Sequence, residues 1–256
     1  MKKKLIKNNE KITIVLPNYN SYKFIKNTVN SIIKQSYKKW ELIIVDDCSE
    51  KKTVTILKNL KKNKRIKFIF LKKNKGAGYC RNLAIKKSKS DYIAFIDADD
   101  LWHKDKLLEQ INFMKINKYD FSYTYYTTFN DRNSSTRNIK TPYRFDFETF
   151  IRNTSIATST MIVRRSLSTD IKFSNSKICE DYYYKCQLLK KIKFAYCFPK
   201  FFTKYQIRNN SLQSSRIRNL YWMWKINNSL NNFNIFKNLI SLFLISFNSL
   251  KKYGFK

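Results

Sequence analysis

The sequence is short of acid. Its 256 residues hold 18 Asp plus Glu against 52 Lys plus Arg, a formal net charge of +34. Histidine occurs once, at His103, which removes most histidine-based catalytic and metal-binding schemes. The cysteines are Cys48, Cys80, Cys179, Cys186 and Cys197, an odd number with no Cys-x-x-Cys pair. Neither a disulfide framework nor a zinc site is supported by that spacing, and reduced thiols in a cytosolic protein fit best. Glycine and proline occur three times each, so each tends to mark a place where the backbone needs it. Met1 to Lys11 is basic but has no apolar core of the kind a signal peptide carries.

What is present is apolar and aromatic. Hydrophobic residues make up 43% and aromatic residues 16%, which is the composition of a packed globular chain and not of a disordered one. The length suits one large domain with a substantial core. So high a positive charge suggests nucleic acid or an anionic membrane surface as partner. It also fits a base-composition bias that writes Lys, Asn and Ile wherever selection permits, because the lysines are spread along the chain and form no basic arm.

The hydrophobic pattern predicts strand and helix in alternation. Lys11 to Leu16 and Tyr92 to Ile96 read as buried strands, and Trp40 to Val45 and Ile66 to Leu71 as two further strands. Between them Ile25, Val29, Ile32 and Ile33 share a helical face, Val54, Leu57 and Leu60 share another, and Gly76-Ala77-Gly78 opens a third helix. That alternation argues for a parallel sheet covered by helices on both faces. A helix over about 104–117 follows. The pattern then becomes mixed: a strand over 121–129, a polar loop over 131–140, a short helix over 145–152 and a strand over 155–163. A helix over 180–191 and one or two strands over 194–207, broken at Pro199, complete that half. The tail from Arg216 to Lys256 is helical in pattern. Its most apolar run, Leu239 to Phe247, is flanked by lysines and is well short of the about 20 residues that span a bilayer. Such a segment can lie in a membrane interface or pack on the core.

Where acid is scarce, acidic clusters need a reason. Asp97, Asp99 and Asp100 end the fourth strand, and Asp46 and Asp47 end the second. In open parallel sheets ligands sit outside the carboxyl ends of strands, which is where both clusters fall. The functional reading is a divalent cation beside a phosphorylated ligand, since Mg2+ takes one or two carboxylates plus substrate phosphates. The alternative is a solvated turn with Asp100 capping the next helix, and Asp46 and Asp47 capping the helix after Ser49. Gly76-Ala77-Gly78-Tyr79-Cys80-Arg81-Asn82 is neither a Walker loop nor a complete dinucleotide fingerprint. Its glycines still allow backbone amides to approach phosphate, and Arg81 could pair with a diphosphate in bidentate fashion. Glu180 and Asp181 open a helix, either as an acidic first turn favoured by the helix dipole or as a general base. Thr158, Ser159 and Thr160 read as plain strand residues, with the lining of an acceptor site as the alternative.

Five segments stand in a telling order: Ile-Val-Leu-Pro-Asn-Tyr-Asn at 14–20, Ile-Ile-Val-Asp-Asp-Cys-Ser at 43–49, Gly-Tyr-Cys-Arg-Asn at 78–82, Phe-Ile-Asp-Ala-Asp-Asp at 95–100 and Glu-Asp at 180–181. Together they resemble family 2 glycosyltransferases, in particular bacterial members that build surface polysaccharide, over about residues 10–215. The resemblance implies an α/β GT-A fold: a Rossmann-like nucleotide-binding sheet with a mixed acceptor-side extension, followed here by C-terminal helices. The implied organisation is a glycosyltransferase domain over 1–215, with a nucleotide-sugar half at 1–118 and an acceptor half at 119–215, and a basic amphipathic tail at 216–256. It also implies a nucleotide-sugar donor and a Mg2+ or Mn2+ ion. Carried over residue by residue, Pro17, Tyr19 and Asn20 line the nucleoside pocket, Asp47 contacts uracil with Asp46 beside it, and Arg81 faces the diphosphate. Asp99 is the main metal ligand, Asp97 contacts the ribose or supports the metal, and Asp181 is the catalytic base with Glu180 as second choice. The glycine pattern departs from the family around Cys80 and Leu83, where small residues are usual.

The expectation is therefore an inverting glycosyltransferase acting on a lipid-linked or polysaccharide acceptor. It would be cytoplasmic and peripheral at the inner face of the cytoplasmic membrane, drawn there by anionic lipid. A metal-dependent nucleotidyltransferase is the alternative enzyme class. A non-enzymatic basic nucleic-acid-binding protein is the third reading, and it leaves both acidic strand ends unexplained.

Overall fold

The computed structural model describes residues 9–60, 63–129, 137–174, 176, 178–207, 216–230 and 234–253. The first half alternates as the pattern predicts: β1 (Ile12–Asn18), α1 (Ile25–Ile33), β2 (Trp40–Asp46), α2 (Lys51–Asn59), β3 (Ile66–Phe70), α3 (Ala77–Lys87) and β4 (Tyr92–Phe95). The strands lie in the order β3-β2-β1-β4 and all pair in parallel. Successive side chains on a strand point to opposite faces. Ile12, Ile14 and Leu16 of β1, Leu42 and Ile44 of β2, and Tyr92 and Ala94 of β4 join one apolar cluster with residues of α1, α2 and the later helix α4 (Lys106–Ile116). Val15, Ile43, Val45, Ile93 and Phe95 join the other, against α3 and α7 (Glu180–Lys191). Both faces of the sheet are thus covered, as continuous apolar strands require.

Beyond β4 the same sheet turns mixed. After the two-residue β5 (Leu101–Trp102) and α4 come β6 (Phe121–Phe129), β7 (Arg137–Ile139), β8 (Arg144–Phe145), α5 (Phe147–Phe150), β9 (Ile162–Arg164), α6 (Arg165–Ser168), α7 and β10 (Ala195–Gln206). The strand path continues β4-β9-β6-β10-β5, with β9 antiparallel to β4 and β6, and β6 parallel to β10. This is the GT-A arrangement of an α/β sheet with a mixed extension.

Three expectations need correction. Residues 155–163 are not one strand: Thr158–Thr160 forms a 3-10 turn, and the strand is confined to Ile162–Arg164. The turn exists because its carbonyls are gripped from below. Ser159 O accepts from the Trp102 indole at 2.8 Å, and Thr160 O from Gln110 Nε2 at 3.0 Å and Lys106 Nζ at 3.2 Å. Pro199 does not split β10, which runs through it with register shifts between Phe198 and Thr203. Of the polar loop placed at 131–140, residues 137–139 form β7; residues 131–136 lie outside the described residues.

The tail forms α8 (Arg216–Leu230) and α9 (Ile235–Tyr253). Both helices dock on the second half of the domain. The Tyr182 hydroxyl of α7 donates to Asn227 Oδ1 at 2.6 Å, and Asn227 Nδ2 donates to Ser241 Oγ at 2.9 Å. Lys237 pairs with Glu148 at 2.5 Å, and Asn248 Nδ2 donates to Arg152 O at 3.0 Å. All five cysteines are free thiols, four of them buried and Cys48 exposed.

Candidate active site

The sequence of strands reverses direction at β1: the chain steps outward through β2 and β3, then returns to place β4 on the other side. In doubly wound sheets the crevice outside such a switch point is where ligands bind. Asn18, Asp46 and Asp97 stand at or just beyond the carboxyl ends of β1, β2 and β4, three adjacent strands. The sequence therefore delivers its scarce carboxylates to one edge.

At the β1/β2 end they are heavily engaged. Asp46 is buried and accepts from Asn18 Nδ2 at 2.6 Å, Ser49 Oγ at 2.6 Å and Ser49 N–H at 3.0 Å. Asn20 sits in the left-handed region, φ 46°; its N–H donates to Ser49 Oγ at 2.9 Å and its Oδ1 accepts from Glu50 N–H at 2.8 Å. Asp47 accepts the backbone N–H of Lys75 at 2.7 Å and of Gly76 at 2.8 Å. Neither aspartate caps α2, whose N-cap is Glu50 with no side-chain bond. Asp46 ties β1 to the β2–α2 loop, and Asp47 fastens the turn that opens α3. Pro17 is half-buried at the strand end, while the Tyr19 ring is 54% exposed beside it.

The glycines serve that turn and its packing. Gly76 adopts φ +88°, which its missing side chain permits, and its N–H is committed to Asp47. A Cβ on Gly78 would lie 2.6 Å from Ser174 O and 3.1 Å from Glu180 Cγ. Gly78 thus lets α7 bring Glu180 against α3, a packing role the sequence did not reveal.

Arg81 departs most from expectation. It is buried, and both terminal nitrogens are taken: Nη1 donates to Glu180 Oε1 at 2.8 Å and Nη2 to Asp97 Oδ1 at 2.6 Å. Its guanidinium lies 5.2 Å from the centre of the Phe173 ring. It is a clamp between two carboxylates. Burial opposes the charge, but Asp97 and Glu180 outweigh it, and the guanidinium is held above its ordinary pKa. Burial also pushes Glu180 up, and the nearby Arg81 offsets only part of that.

Asp97 and Asp99 are half-buried, and the Asp97 N–H donates to Ser159 Oγ at 3.0 Å. Asp100 is no helix cap. It is buried, its Oδ1 accepts the Gln206 N–H of β10 at 2.8 Å, and the residue before α4 is Asp105. Burial, and after it the charges of Asp99 and Asp97, raise Asp100 well above the usual carboxylate range.

Asp181, Asp97 and Glu180 all line one cavity of about 210 Å³, with Arg81, Thr158 and Lys185. Its Oδ2 accepts from the Thr158 hydroxyl at 2.9 Å and from Lys185 Nζ at 2.7 Å, one helical turn on. Burial alone would raise its pKa; the Lys185 ammonium, reinforced by Arg81 and Thr158, holds it well below the usual range instead. The Lys185 ammonium thus favours the ionised form of Asp181. Sequence reading missed Lys185 and set Thr158 aside as a strand residue. The i, i+4 spacing of Asp181 and Lys185 was the available signal for the first. Asn219 and Met223 of α8 and Ser249 of α9 close the cavity from the far side. Its volume is below the roughly 300–1,000 Å³ of a pocket for a whole drug-sized ligand, so it suits one part of a larger substrate.

The donor set at the β4 end fits a hard cation. It is oxygen only: Asp97, which also accepts from Arg81, and the half-buried Asp99. No group of three or more His, Cys, Asp or Glu side chains able to hold a metal occurs among the described residues. Two carboxylates completed by substrate phosphates match Mg2+ or Mn2+ binding better than an all-protein cage would.

A GT-A fold with its acidic edge at the switch point and a carboxylate-lined cavity beside it is the architecture of a glycosyltransferase. The sequence profile described as "Glycosyl transferase family 2" matches residues 13–172, and the chain belongs to that family. It is 34% identical over 207 residues to TuaG of Bacillus subtilis (strain 168), named as a teichuronic acid biosynthesis glycosyltransferase, covering 80% of this chain and 82% of that one. It is 30% identical to the Escherichia coli UDP-Glc:alpha-D-GlcNAc-diphosphoundecaprenol beta-1,3-glucosyltransferase WfgD, covering 84% of each. Among solved structures, Staphylococcus aureus TarS 1-349 in complex with UDP superposes with a TM-score of 0.71 at 21% identity, over 96% of this chain and 72% of that one. The mannosyltransferase PcManGT of Pyrobaculum calidifontis, solved with GDP-Man and Mn2+, superposes with a TM-score of 0.67 at 15% identity, over 96% and 76%. The last two likenesses show the fold.

Proposed function

We propose that this glycosyltransferase moves a sugar, with inversion at C1, from a UDP-sugar to a hydroxyl of a lipid-linked or polysaccharide acceptor in cell-surface glycan synthesis. The observation that carries the reading is Asp181, an ionised carboxylate on the wall of a cavity shared with the Asp97–Arg81–Glu180 bridge. The names of TuaG and WfgD supply the substrate class: a surface polymer for one, a UDP-sugar and a lipid diphosphate acceptor for the other.

In this reading Pro17, Tyr19 and Asn20 line the nucleoside pocket, where the exposed Tyr19 ring offers a stacking face. Asp47 accepts from the base; a carboxylate has about four lone-pair sites, and the two backbone amides leave room. Asp46 holds the β1 and β2 ends in register beneath it. Asp99, supported by Asp97, would hold Mg2+ or Mn2+, which supplies neutralisation of the departing diphosphate. Arg81 fixes Asp97 and Glu180 and contributes its positive field from behind them.

The acceptor oxygen attacks C1 of the donor sugar as its proton passes to Asp181. The C1–O bond to the diphosphate breaks, and its electron pair leaves with UDP. General-base assistance of this kind is worth roughly 10²–10⁴-fold. Glu180 remains the second candidate, but its carboxylate is bound to Arg81 and buried. The enzyme would work on the cytoplasmic face of the membrane, where lipid-linked acceptors are presented. The relatives do not favour the nucleotidyltransferase alternative. Incubation with a panel of UDP-sugars and GlcNAc-diphospholipid acceptors tests the proposal. Release of UDP with a product of inverted anomeric configuration supports it; release of pyrophosphate, or retention at C1, overturns it.

A further inference from the structure

The last helix is built inside out. Asn238 and Ser241 of α9 are fully buried, and Ile245 is 5% exposed on the same side. Asn238 donates to Asn228 Oδ1, Ser241 donates to Ile151 O, and Asn248 donates to Arg152 O. The opposite side carries Phe236, 82% exposed, with Leu239 at 54%, Ile240 at 53%, Phe243 at 71% and Phe247 at 59%. At 100° per residue these five fall within an arc of about 100°. A surface helix in water shows the reverse pattern, polar outward and apolar inward. On α8, Ile217 and Tyr221 are likewise exposed, at 84% and 57%. A contiguous apolar face of this kind marks an interaction surface.

Charge selects the partner. No Asp or Glu follows Asp181 in the sequence, while Lys and Arg continue to Lys256. An apolar helix face in an acid-free, basic segment is complementary to anionic lipid, where the face inserts about 5–10 Å into the headgroup boundary. No helix among the described residues is long and apolar enough to cross the membrane instead. The inner side of the same helix reaches the catalytic cavity through Ser249, with Asn219 and Met223 of α8 beside it.

We propose that the outward face of α9, centred on Phe236, Ile240, Phe243 and Phe247, docks on an anionic bilayer surface and so holds the acceptor cavity at headgroup level. The part concerning the acceptor rests on the lipid-linked reading above; the docking itself does not. The test is flotation of the full chain with vesicles of phosphatidylglycerol and phosphatidylcholine, against phosphatidylcholine alone, at low and high salt. The wild type floats with the anionic vesicles, and salt weakens it. The double variant Leu239→Glu/Phe243→Glu loses at least ~10-fold in vesicle affinity, since it places two charges in the inserted face. Its UDP binding, measured without vesicles, stays at the wild-type level and shows that the site remains folded. Equal binding to both vesicle types, absence of wild-type flotation, or undiminished flotation of the variant overturns the proposal. So does a wild-type dimer that becomes monomeric in the variant while neither floats, because the face then belongs to a second copy of the chain. Failure of sugar transfer with any acceptor would contradict the catalytic reading while leaving flotation unchanged.

Discussion

At the level of single side chains, Lys185 decides how Asp181 behaves. A carboxyl held below its ordinary value is ionised at every physiological pH, and its contribution to stability is present above the unfolded value of about 3.9 and lost as pH falls through the folded one. Asp181→Asn is expected to cut turnover by roughly 10²–10⁴-fold while leaving UDP affinity unchanged. Lys185→Met removes the ammonium, lets the Asp181 carboxyl rise, and moves the acid limb of the pH–rate profile to higher pH. A limb that stays in place would detach Asp181 from the rate. Arg81 makes a separate prediction. Replacement by Met strands two partly or fully buried carboxylates, so urea denaturation should show a loss of about 3–5 kcal/mol, with circular dichroism confirming the native fold. A loss confined to donor affinity would restore the diphosphate role instead. The identity of these residues was legible in the sequence; their pairing was not. Arg81, Asp97 and Glu180 are up to 99 positions apart, and only folding shows that the arginine is spent on carboxylates.

At the level of elements, β1, β2 and β4 were readable because each is a short apolar run buried on both faces and closed by polar residues, whereas the edge strand β3 is partly exposed and was readable from its apolar run alone. The turn at Thr158–Thr160 was not. Its sequence carries strand-forming residues, and what bends it is a set of distant donors, Trp102, Lys106 and Gln110, gripping its carbonyls. Tertiary contacts overrode local propensity there, as they commonly do for short segments. The glycines were legible as backbone signals, but the reason for Gly78 lies in another helix. Gly78→Ala drives a methyl group to 2.6 Å from Ser174 O, and a melting experiment should show destabilisation of about 1–3 kcal/mol, with the Glu180 side displaced. An unchanged melting temperature would mean that α7 can shift away freely.

At the level of the whole molecule, the sheet brings the acidic strand ends and the Asp181 cavity together, and the C-terminal helices complete the cavity wall. The sequence pattern left two homes for those helices, the core or a membrane interface. The structure packs apolar residues of α8 on the core but seats the polar side of α9 on the protein and leaves its row of exposed apolar residues outward, an orientation no composition could reveal. The direct measurement for the central claim is a Mn2+ titration of UDP-sugar turnover in the wild type, Asp99→Asn and Asp181→Asn, with UDP binding followed in parallel. Asp99→Asn is expected to lose metal-dependent turnover together with metal-dependent UDP binding, whereas Asp181→Asn is expected to lose turnover alone. Full metal-dependent turnover in Asp99→Asn would contradict it.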